Sequence, residues 1–216
     1  GSHAHQDNLE RMRNQLDKHL RDSRDLGFIP EALAWEISKG STPYDLARAS
    51  QNAYRQSRLI KAASQVGQGS ENEFLANLEH SDPGVRFWGA VGFSAAQSLS
   101  NKAIDALTTA LEDAVPNVRI ESANALARHG RTEKSISALA SALGEENLAV
   151  VQHAARVIEL LGEKAIEALP AVTVCNARML TIRPPDTSPL NPDPELDKAM
   201  FVGFSTQAFL NRFGSK

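Results

Sequence analysis

Six side chains in the middle of the chain recur in a pattern that could recognise a partner. Trp88, Glu121 and His153 stand at steps of 33 and 32 residues, and Val91, Asn124 and Arg156 follow each of them three residues later. A stripe carrying an aromatic ring, a carboxylate, an imidazole, an amide and a guanidinium offers contact area and directed hydrogen bonds. Trp88 is its strongest anchor, because aromatic side chains dominate binding hot spots. The competing reading is an ordinary helix face, solvated or partly packed. Arg86 and Arg119 recur in the same way. They could meet an anionic group, or pair with Asp82, Asp113 or a carboxylate of the next repeat as a structural ladder. The ladder is the preferred reading, and breaking one partner of such a pair should destabilise the fold.

Other candidates carry less chemistry. Asp25, Pro30 and Glu31 lie in a chemically distinctive loop, where function often resides, although Gly27 ending one helix and Pro30 starting the next accounts for the same residues. His19, His80 and His129 have no partner at ligand spacing. The single cysteine, Cys175, can form no internal disulfide and no zinc-binding pair, and is expected as a small buried apolar residue. Gly67-Gln68-Gly69 lacks the preceding strand and full glycine spacing of a phosphate loop. No catalytic motif, metal site or cofactor is therefore expected.

The stripe needs helices to hold it, and the sequence supplies them as repeats. Val85, Val118 and Val150 begin three aligned segments; Ala90, Ala123 and Ala155 share the close-packing position; Phe93, Leu126 and Ile158 share the large apolar one. Gly130 and Gly162 follow as helix-ending glycines. A preceding helix is marked each time by apolar residues three or four apart: Phe74 and Leu78; Ile104, Leu107 and Leu111; Ile136, Leu139 and Leu143; Ile166 and Leu169. Ser81-Asp82-Pro83-Gly84 and Asp113-Ala114-Val115-Pro116-Asn117 separate the helices, with Asp82 as cap and Pro83 in the first turn. This cadence resembles HEAT repeats and implies an all-α fold, a right-handed α-solenoid of helical hairpins over 71–172, with second helices lining the concave face.

The flanks divide the rest. Residues 1–4 read as a scar of tag removal, and 5–70 as a helical region leading into the solenoid. In it Leu9, Met12, Leu16 and Leu20 form a narrow stripe on one helix, Trp35 and Ile37 mark a short amphipathic segment, and Thr42 caps a helix running through Leu59 to Ala63. Residues 173–194 read as a proline-rich extended connector, and 195–216 as a terminal helix capping the solenoid's end. With 42% hydrophobic residues the chain can bury a substantial core. No run of about 18 continuous apolar residues is present, so membrane insertion is not expected. Between residues 71 and 172, 8 Lys/Arg face 14 Asp/Glu. Backbone-phosphate binding needs the opposite sign, so nucleic acid is an unsuitable partner.

Taken in order, Arg24-Asp25-Leu26-Gly27-Phe28-Ile29-Pro30-Glu31, Thr42-Pro43-Tyr44-Asp45-Leu46-Ala47, Asp82-Pro83-Gly84-Val85-Arg86-Phe87-Trp88-Gly89-Ala90 and Pro116-Asn117-Val118-Arg119 resemble the C-terminal extension of certain bacterial sulfatases of the alkaline-phosphatase superfamily. The resemblance implies an accessory module of a larger hydrolase, packed on its own catalytic domain or mediating assembly, in the periplasm or outside the cell. The formylglycine-forming Cys/Ser-x-Pro-x-Arg motif of that family is missing, since Cys175 is followed by Asn176-Ala177-Arg178. This chain is accordingly not expected to be an enzyme by itself. The alternative is a free-standing adaptor that binds a protein or peptide on its concave face.

Overall fold

Capping chemistry sets the helix boundaries of the computed structural model, which describes residues 5–24, 26–49, 53–183 and 193–214. Ser70 and Glu73 form a reciprocal capping box at the start of α5 (Glu71–Leu78). Asp82 Oδ1 accepts from the Gly84 amide at 2.9 Å to open α6 (Pro83–Ser94), with Pro83 in the first turn. Ser100 caps α7 (Asn101–Ala110) and Asn147 caps α10 (Leu148–Leu161). Between these last two, α8 spans Pro116–Arg128 and α9 spans Thr132–Ala142. Each side-chain oxygen satisfies an amide that the helix itself leaves without a partner. Gly130, at φ 79°, turns the chain after α8 in the left-handed conformation open to glycine.

The helices stack as successive pairs, α5 with α6, α7 with α8 and α9 with α10, and the second helices α6, α8 and α10 pack in series. The result is an all-α solenoid, with no strand among the described residues. Ala90 and Ala123 are fully buried, Ala155 is nearly so, and Phe93, Leu126 and Ile158 fill the space between helices. The first pair approaches most closely. A Cβ at Gly89 would lie 2.7 Å from the Leu78 amide nitrogen, and one at Gly92 would lie 2.4 Å from Phe74 Cδ1.

Several boundaries differ from expectation. The proposed connector over 173–194 begins as helix, because α11 runs Leu169–Ile182 and buries Val172, Cys175, Asn176 and Met179 along one face. Its prolines at 184–192 lie outside the described residues. The segment Gly162–Ala168 before it is a 3-10 helix that buries Ala165 and Ala168 and leaves Ile166 exposed, so Ile166 does not serve the core. Helix α12 (Pro194–Phe213) packs along both α10 and α11 and so completes a further helical pair. The run Leu148–Ile182 is long and apolar enough, by length and composition, to cross a membrane. Ala165 leaves helical geometry within it, and the two halves fold back as parts of the solenoid.

Ahead of the repeats, α1 spans Gln6–Ser23 and buries no residue; Leu9, Met12 and Leu16 are exposed. Next come α2 (Glu31–Ile37), α3 (Pro43–Arg48) and α4 (Ala53–Ser64). The single helix expected from Thr42 to Ala63 is thus two, since Ala49 adopts an extended ψ of 131°. Helix α4 packs on α6 as the second helices pack on one another.

Candidate interaction surface

The second-helix stripe is not the open surface that its residue types suggest. Trp88 is half-buried, and its indole Nε1 donates to the Phe28 carbonyl at 2.7 Å. Its ring lies 6.1 Å from Phe28 and 5.3 Å from Phe87. The anchor expected to face a partner therefore holds the chain's own N-terminal loop. Around it Ile29, Leu33, Leu59, Ala62 and Val85 form a second hydrophobic cluster, while Ala32 of α2 joins the main core.

Glu121 and Asn124 are each only 8% exposed. Glu121 accepts from Asn124 Nδ2 at 2.9 Å and meets His153 Nε2 at 2.7 Å. The other ring nitrogen of His153 is 3.0 Å from the Asn117 amide, and Phe87 covers the imidazole at 6.0 Å. Arg128 Nε donates to Asn124 Oδ1 at 2.9 Å. Burial pushes the Glu121 carboxyl up, but the His153 bond and charge, the Asn124 bond and the Arg128 charge outweigh it, so the group sits below the usual carboxylate range. These residues knit α8 to α10. Val91 is half-buried, and of the six only Arg156 is well exposed, in a local pair with Glu159 at 2.7 Å.

The arginines are also engaged. Arg86 binds Asp113 through two bonds, Nε to Oδ2 at 2.7 Å and Nη2 to Oδ1 at 3.0 Å, and donates to the His80 and Ser81 carbonyls. Arg119 donates to Glu145 Oε1 at 2.9 Å and to the Asp113 carbonyl. Asp82 pairs with Arg55 at 2.7 Å and not with Arg86. Each arginine thus reaches the inter-helix loop of the following pair. Burial raises the Asp113 carboxyl, yet the Arg86 bonds, the Val115 amide and the charges of Arg86 and Arg119 bring it below its ordinary value. Sequence reasoning missed Arg55 and Glu145. The available signal was the position of Arg55, 31 residues before Arg86 and 33 more before Arg119, at the same place on a helix.

Among the loop residues, Asp25 lies outside the described residues. Pro30 occupies the residue before α2 and Glu31 is its exposed first residue. Among the described residues no three His, Cys, Asp or Glu side chains gather as a metal site. Cys175 is buried, and burial pushes its thiol up against a smaller opposing effect of Arg178.

What does lie open is further along. On α10, Leu160 is 57% exposed, one helical turn beyond Arg156. On the adjoining α12, Phe201 is 48% and Phe204 61% exposed, and the two rings meet edge to face at 6.2 Å. They lie opposite Val202, Thr206, Phe209 and Phe213, which are buried. Helix α12 therefore carries two apolar faces and buries one. Spacing alone separates them, since Phe201, Phe204 and Ala208 fall three and four apart.

The HEAT-repeat family model matches residues 71–162, so this part of the chain is a HEAT-repeat domain. No curated protein and no solved structure matches the chain.

Proposed function

We propose that the chain is a non-catalytic protein-interaction module that receives its partner on the adjoining second helices α10 and α12. The observation that carries this reading is the exposed Phe201–Phe204 pair on α12, the helix packed along α10, which itself exposes Leu160, since rigid aromatic side chains supply binding area at low entropic cost. Arg156, one turn before Leu160 on α10, is already paired with Glu159, so the exposed rings favour the apolar face of an amphipathic helix. The test is a library of amphipathic helical peptides panned against the chain. Selected peptides should bind Phe201→Ala/Phe204→Ala at least about tenfold more weakly, because two aromatic anchors are lost, with the melting temperature unchanged. Equal binding by the variant, or no selected peptide, refutes the reading.

A finer reading makes the partner the catalytic domain of a sulfatase-like hydrolase. Two of the motifs behind that resemblance touch in the fold, Trp88 of the third bonding to Phe28 of the first. An upstream coding sequence continuous with this chain and containing Cys/Ser-x-Pro-x-Arg would support it. An independent start codon immediately upstream would leave the free-standing adaptor.

A further inference from the structure

A cleft of about 800 Å³ opens between the end of α1, the loop before α2, and α3. Its size is within the roughly 300–1,000 Å³ of ordinary ligand pockets. Ile29, Pro30 and Ala34 line it together with Tyr44, and among the described residues three basic side chains, His19, Arg24 and Arg48, stand around it against one acidic residue, Glu31. That balance runs against the negative charge of the chain as a whole.

The two arginines are held in place by neutral groups. Arg48 stacks over the Tyr44 ring at 3.5 Å and donates to the Tyr44 and Ser23 carbonyls. Arg24 Nη1 donates to the Arg48 carbonyl at 2.9 Å. Each guanidinium carries five donor hydrogens, and these contacts occupy a minority of them. Among the described residues no carboxylate pairs with either one. This contrasts with Arg55, Arg86 and Arg119, each matched to an acid. Arg24 is also the one non-glycine residue with positive φ among the described residues, at 55°. It closes α1 as a left-handed cap, its amide donating to the Arg21 and Leu20 carbonyls, and so turns the Arg24 side chain onto α3.

We propose that this cleft binds an acidic peptide segment, one carboxylate bridging the Arg24 and Arg48 guanidiniums while a neighbouring apolar side chain rests against Ile29 and Pro30. Carboxylate is the complement of guanidinium N–H groups left without an acidic partner, and the apolar wall selects a peptide over a bare anion. The site is separate from the α10–α12 surface and does not depend on it.

The test is selection of displayed random octapeptides on the whole chain, followed by fluorescence anisotropy of one synthetic peptide from the selected pool. The pool should be enriched in Asp and Glu next to apolar residues. Binding should fall about tenfold for Arg24→Gln and for Arg48→Gln, the loss expected for a hydrogen bond to a charged group, and should weaken with salt. Glu31→Gln should tighten it, and Phe201→Ala/Phe204→Ala should leave it unchanged. A photo-crosslinking form of the peptide should label the unmodified chain between residues 23 and 48, which decides the matter even where an arginine variant loses helix by circular dichroism. A pool without acidic enrichment, an empty pool, or crosslinks outside that span overturns the proposal.

Discussion

The Arg86–Asp113 pair gives the sharpest test of how the repeats are held together. Its side chains are 18% and 11% exposed, and two short bonds fix their relative geometry. An exposed ion pair contributes about 0–1 kcal/mol, whereas breaking a fully buried one costs about 3–5 kcal/mol. Asp113 retains some access to solvent, so screening places the coupling between those limits, at about 1–2 kcal/mol. Asp113→Ala should cost more than this coupling, because Asp113 Oδ1 also accepts from the Val115 amide ahead of α8 at 2.8 Å, and loss of a capping-type bond adds about 1 kcal/mol. The assay is a double-mutant cycle of Arg86→Met and Asp113→Asn by urea unfolding, followed by circular dichroism at pH 7 and again in acid. The Asp113 carboxyl is depressed in the folded chain. Its stabilisation is therefore complete above the unfolded value of about 4 and disappears as pH falls through the lower folded value. A coupling below about 0.3 kcal/mol at pH 7, within the error of additivity, or one that persists undiminished in strong acid, would refute the reasoning.

Three further outcomes follow from the packing. Gly92→Ala should destabilise by about 1–3 kcal/mol, as overpacking does, because the new methyl collides with the Phe74 ring; thermal melting checks it. Trp88→Phe removes the donor to the Phe28 carbonyl at a cost of about 1 kcal/mol, and hydrogen exchange of residues 26–37 should speed up more than that of α8. Ser70→Ala opens the capping box and should lower stability by about 1 kcal/mol, with the loss read in the same urea titration.

Helix pairing was legible in the sequence because it depends on local patterns. Alanine at 90, 123 and 155, and proline or an Asx or Ser cap before most repeat helices, suffice to phase the hairpins whatever lies around them. The surface was less legible, because exposure is a property of neighbours. Trp88 has the residue type of an anchor, and nothing within its own repeat reveals that Phe28, sixty residues earlier, accepts its proton. Glu121 and His153 look like solvated polar residues until α8 and α10 are set side by side, when one becomes the partner of the other. The start of the connector was misplaced for a simpler reason: its prolines begin at Pro184, and the preceding Val172, Cys175 and Met179 already carried a helical spacing.

A solenoid exposes one series of helices along its length, and here that series is divided between two uses. Across α6, α8 and the first half of α10 the N-terminal segment and a polar network occupy it, with Trp88, Glu121, Asn124 and His153 all bonded within the chain. At the end of α10 and on α12, Leu160, Phe201 and Phe204 are exposed. Two exposed phenylalanines three residues apart have an energetic consequence. At roughly 25 cal/mol per Å² of apolar surface removed from water, covering about 100 Å² on each ring would contribute about 5 kcal/mol before the costs of association. The part of that series richest in recognition chemistry has thus become internal structure, and the exposed apolar area lies instead at the end of α10 and on α12.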